Sequence, residues 1–174
     1  MSSSLGFYAS QISGHLSTNN FSSIATVTVG SGGASSVTFS SIPSTYTHLQ
    51  IRALGLISSA TNIHLQFNGD SGTNYVYHQL YGTGSAVGAA SNQNMTYLPF
   101  MYQGGTGATI VDVLDYTNTN KNRVTRTLDG YDANGSGSIA LWSGLWLSTA
   151  AINSITIFGG TFNQYSSFAL YGIR

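Results

Sequence analysis

From Phe21 onward, apolar and polar residues alternate in short runs, each closed by a cluster of Gly, Asn or Ser. Ile24, Thr26 and Thr28 oppose Ala25, Val27 and Val29, and Leu49, Ile51 and Ala53 oppose Gln50 and Arg52. Side chains of period two line opposite faces of a strand, so one face of each run is expected to be buried and the other polar. The pattern predicts strands over Ser23–Val29, Ser36–Ile42, His48–Ile57, Asn62–Phe67, Tyr75–Tyr81, Thr96–Tyr102, Thr109–Leu114, Arg123–Tyr131, Ser138–Leu147, Ile152–Phe158 and Ser166–Ile173. Between them lie Gly30 to Gly33, Asn68 to Gly72, Gly104 to Gly107, Asn134 to Gly137 and Gly159-Gly160. Gly and Asn tolerate the positive φ of tight hairpins, so these are read as turns.

No segment of helical length shows apolar spacing of period 3.6, and no repeat of constant period argues for a propeller or β-helix. The expected fold is all-β, an antiparallel two-sheet sandwich with a jelly-roll-like topology, over residues 21–174. Residues 1–20 are polar with scattered apolar positions and no start or stop signals. They are read as an extended N-terminal arm for attachment, with Leu5, Phe7, Tyr8, Ile12, His15 and Leu16 as its partner-binding side chains.

Composition sharpens this picture. At 174 residues the chain fits one domain with a sizeable core. Only 6% of residues are charged, Lys121 is the single Lys, and Glu is absent. Soluble domains average about 25% charged residues, so this surface must be covered by Ser, Thr, Asn, Gln and Gly, which suits permanent packing against partners. A net charge of zero with scattered Arg52, Arg123, Arg126 and Arg174 speaks against nucleic acid. The chain has no apolar run of membrane-spanning length and no signal-peptide pattern at its start, so no membrane partner and synthesis in a cytoplasm are expected. Without Cys, stability must come from packing and association rather than disulfides.

The polar residues form no contiguous catalytic signature. Lys121 follows no glycine loop, Gly-x-Ser-x-Gly does not occur, and the glycine clusters lack the spacing of a dinucleotide fingerprint. Asp70, Asp112, Asp115, Asp129 and Asp132 are the available acids. Asp70 reads as a turn residue, while Asp112 and Asp129 read as cross-strand partners of Arg123 and Arg126 rather than as an acid/base pair. His64 and His78 fall on consecutive strands, where a hairpin would bring two imidazoles together, but no third ligand is evident and no metal or other cofactor is expected. Neither His15 nor His48 has an obvious carboxylate partner. Trp142 and Trp146, four residues apart, share one side of a strand. Two rings on one face either fill a core or subunit interface or floor a sugar groove, so the pair is a possible glycan-binding or interface site.

Longer strings carry a resemblance. Ala9 to Leu16, Ser23 to Val37, Phe39 to Arg52, Phe67-Asn-Gly-Asp70, Gly144-Leu-Trp146 and Gln164 to Ile173 are similar to a family of small virion structural proteins of tailed bacteriophages. The resemblance implies a particle component on the outer surface of the virion. The expected protein is a non-enzymatic capsid decoration or cement protein that associates with itself, as a homotrimer, and with the major capsid protein or another virion protein. The alternative is a head- or tail-fibre tip that binds a host glycan. No catalytic residue comes with the family.

Overall fold

The computed structural model describes residues 20–57, 61–103 and 106–174. Apart from Asn20, the expected arm and its side chains Leu5, Phe7, Tyr8, Ile12, His15 and Leu16 lie outside the described residues. Twelve strands and no helix form among the described residues: β1 Phe21–Thr28, β2 Ala34–Phe39, β3 His48–Leu56, β4 Thr61–Phe67, β5 Tyr75–Gly82, β6 Val87–Met95, β7 Leu98–Gln103, β8 Thr106–Leu114, β9 Arg123–Asp132, β10 Gly137–Trp146, β11 Ile155–Phe162 and β12 Ser167–Ile173.

All pairings are antiparallel. One sheet has eight strands in the order β1-β12-β3-β8-β9-β10-β5-β6, and the other has four in the order β2-β11-β4-β7. The expected two-sheet sandwich is the observed architecture. Setting aside β9, β10, β5 and β6 leaves β1-β12-β3-β8 against β2-β11-β4-β7. Each strand of one quartet then adjoins in the chain the strand at the same place in the other, as a jelly roll requires. The hairpins β9–β10 and β5–β6 extend only the larger sheet, so that sheet outgrows its partner on one side.

Inward residues of both sheets build a single core. Leu49, Ile51, Phe67, Phe100, Val113 and Phe168 are fully buried, and Phe162 meets Phe168 edge to face at 4.9 Å between ring centres. Arg123 is also buried in this layer. Its guanidinium donates to the carbonyls of Tyr116, Lys121, Thr149 and Ala150, so four neutral acceptors rather than a carboxylate hold it.

Four expectations about the chain are corrected by this arrangement, and the first is Gly159-Gly160, read as a turn but lying inside β11 at a shift of register. Strand β6 is absent from the expected strands, because Val87–Met95 is built mostly of small and amide residues and is largely exposed as the sheet edge. The alternation of Ile24 against Ala25 is broken by a bulge between Ser23 and Ala25, which turns both side chains toward the core. The Asn68–Gly72 segment is not a hairpin turn, since β4 lies in the small sheet and β5 in the large one, so His64 and His78 sit on different sheets. That crossover is pinned by its own polar groups. The Phe67 N–H donates to the Tyr75 hydroxyl, which donates to the Asp70 carbonyl, while Asn68 donates to the Ala151 carbonyl and accepts from the Asn153 and Ser154 N–H groups.

Candidate functional site

Where the large sheet overhangs the small one, its inner face is open. Register fixes what lines it. On β5 the inner positions are Tyr75, Tyr77, Gln79 and Tyr81, and on β10 they are Trp146, Gly144, Trp142 and Ala140, paired in that order. Tyr75 and Trp146 lie beneath the small sheet and are buried. Beyond them, Tyr77, Gln79, Tyr81, Ala140 and Trp142, with Asn92 of β6 and Asn62 of β4, line a cleft of about 390 Å³ rimmed by Thr83 and Ser138.

Trp142 is half-buried and rigidly held. Its indole N–H donates to Asp129 Oδ1 at 2.5 Å, and its ring meets Tyr77 edge to face at 5.6 Å. Asp129 is buried one register step away on β9, opposite Ala140. The carboxylate thus fixes the indole plane, leaving the ring to serve as a wall. Burial raises the Tyr77 phenol above its ordinary pKa and the nearby Tyr97 adds to the rise, against a hydrogen bond with the Asn92 side chain. Tyr77 therefore stays a neutral phenol that donates and accepts. None of the residues lining the cleft is charged. The arrangement offers aromatic walls and amide groups, which is the chemistry that grips a polyhydroxylated ring of no net charge.

Next to the cleft, His64 stacks on Tyr97 with ring centres 3.7 Å apart and 29° between planes. Burial lowers its pKa, and its Nδ1 is buried without a hydrogen-bond partner. His64, Tyr97, Pro99 and Met101 share a narrow recess of about 30 Å³ with Trp142 and Tyr77.

The structure separates residues that the sequence had grouped. Trp142 and Trp146 do share a face. Trp146, however, is a core residue, packed on Phe67 and Tyr75 with its N–H donating to Asp70 Oδ2 at 2.7 Å, and has no place in a glycan groove. Asp70 is a turn residue as expected, accepting from the Gly72 N–H and the Asn74 amide. Asp112 stands directly across from Arg126 on the neighbouring strand, as expected of a cross-strand partner, but its carboxylate is held by an amide. Asp112 accepts from the Gln50 amide at 2.7 Å and Asp129 from Trp142. His48, expected to lack a carboxylate, sits 3.3 Å from Asp115, which also pairs with Lys121. Tyr77, Gln79 and Tyr81 stand at a period of two that the sequence displays, but alternation alone does not tell a cleft wall from a core face. Asn92 carries no sequence signal, because its strand has no burial pattern.

No family model and no curated protein matches the chain. Among solved structures, an alginate lyase, Aly36B, determined as a mutant in complex with alginate tetrasaccharide, is similar at 13% identity over 88% of this chain and 95% of that one, with a TM-score of 0.32. A likeness of this size assigns neither an activity nor a site residue. Two expectations are nevertheless corrected by the comparisons. The expectation of a virion decoration, cement or fibre protein is not retained, since the similar chain is a lyase. Nor is that of a non-enzyme. The physical reason is common to both: a surface poor in charge fits sugars as well as subunits, and a constellation assembled from separate strands leaves no contiguous motif.

Proposed function

We propose that this protein binds carbohydrate, and that the overhang of the larger sheet is a cleft for neutral glycans. The observation that carries this reading is Trp142, which is aligned with the core residue Trp146 on one strand face yet left at the wall of an open cleft. Around it stand the hydroxyls of Tyr77 and Tyr81 and the amides of Gln79, Asn92 and Asn62. A sugar ring presents an apolar face and a girdle of hydroxyls, so it needs an aromatic surface for the first and neutral donors and acceptors for the second. A uronate would also need a cation, and the lining supplies none. Neutral hexose chains are thus favoured over anionic ones.

The test is titration calorimetry of the full chain against a panel of neutral and uronate oligosaccharides. At least one neutral oligosaccharide is expected to bind, and Trp142→Ala is expected to weaken it roughly tenfold or more, as for removal of an anchoring aromatic. Failure of every neutral glycan to bind, or equal affinity in the variant, would refute the reading. Masses of the recovered sugars report on turnover in the same samples: unchanged chains mark binding alone, and shortened chains mark cleavage.

A further inference from the structure

The outer face of the large sheet carries a second pattern, independent of the cleft. Register places Ile110, Leu128, Leu141 and Leu80 side by side on β8, β9, β10 and β5. They are exposed by 42, 47, 50 and 62% respectively. The next row holds Leu54, Ile139 and Val87, also exposed. On the other side runs a polar row of Gln50, Asp112, Arg126, Ser143 and His78. Isolated exposed leucines need no explanation, but a contiguous row across four strands does.

We propose that this face is the contact between two copies of the chain, stacked sheet on sheet about a twofold axis. Size is the first argument. Six strands about 4.8 Å apart, three residue rows deep, cover roughly 600 Å² per copy, so two copies would bury roughly 1,200 Å², at the lower end of the range of specific interfaces. Pairing is the second. In a twofold contact residue i meets j and j meets i, and the axis that centres these six strands runs between β9 and β10, so Leu128 of each copy faces Leu141 of the other, Ile110 faces Leu80, and Asp112 faces His78. Shape is the third. Beside the aliphatic row a shallow groove of about 490 Å³ between Leu80, Leu141, His78 and Arg126 gives the opposing row a seat. The pairing differs from the threefold association expected from the sequence, and it leaves the inner cleft of each copy open.

Sedimentation equilibrium of the full chain tests this. The wild type is expected at twice its 18.3 kDa mass. Leu80→Lys and, separately, Leu141→Lys are each expected to raise the dimer Kd by roughly a hundredfold or more, because a charge would be buried at the contact. Both positions are solvent-exposed in one chain and lie on different strands, and Leu128→Thr serves as a third, milder variant. Far-ultraviolet circular dichroism confirms that each variant is folded. A wild-type chain that stays monomeric overturns the proposal. A dimer whose Kd is unmoved in the folded variants overturns it as well.

Discussion

Trp142 and Trp146 occupy equivalent faces of β10, and their different fates follow from what lies above them. The small sheet covers Trp146, which packs between Phe67 and Tyr75 and hands its N–H to Asp70. Trp146→Ala is therefore expected to cost about 3 to 5 kcal/mol in urea unfolding, the usual loss for a buried aromatic. Trp142→Ala removes a half-buried ring together with the N–H that the buried Asp129 accepts, so its expected cost is smaller, about 1 to 3 kcal/mol, and its urea midpoint is read beside its binding. His64 makes a different prediction. Its folded pKa lies below the ordinary imidazole value of about 6.5 because burial penalises the imidazolium. The unfolded chain therefore takes up the proton first as the medium is acidified. Stability from this residue is complete above about pH 6.5 and declines as pH falls toward the folded pKa. His64→Phe would keep the stack on Tyr97 and remove the unpartnered Nδ1. The fall in melting temperature between about pH 7.5 and pH 5.5 should then be smaller than in the wild type, and an equal fall would contradict the assignment.

At the scale of elements, β10 and β7 approach closely because Gly144 has no side chain. A Cβ there would stand 2.4 Å from Thr125 Oγ1 and 3.0 Å from both Leu98 methyls. Gly144→Val should push β7 away from β10 and cost about 2 kcal/mol by denaturant unfolding, in the range for overpacked cores. An unchanged midpoint would mean that the sheets have more slack than this contact implies. Elements with a strong alternation were legible from the chain: β3, β8 and β9 match their expected ranges to within a few residues. The turn at Asn134-Gly135 was legible too, and φ values of 51° and 101° show why those residue types stand there. Strand β6 was not, because an exposed edge made of Gly, Ala, Ser and Asn carries no burial pattern. The change of sheet between β4 and β5 was equally hidden. Asn68 and Gly69 permit a hairpin, and only the packing of Tyr75 and Trp146 beneath the small sheet decides for a crossover.

For the whole molecule, a jelly roll extended by two hairpins leaves two unequal surfaces. The inner overhang is concave, aromatic and rich in amides. The outer face is broad and ruled by aliphatic rows. Scarcity of charge, which the sequence displays plainly, is shared by both and by itself distinguishes neither. What separates them is register, a property of strand order that no single segment encodes. The chain has only two tryptophans, so an amide-labelled sample gives two indole N–H signals by NMR, one from the cleft and one from the core. Titration with the neutral oligosaccharide that binds best should shift the Trp142 indole signal and leave that of Trp146 in place. A titration to saturation that moves neither signal, or shifts the Trp142 signal only with a uronate chain, would contradict the assignment of the overhang as a neutral-glycan cleft.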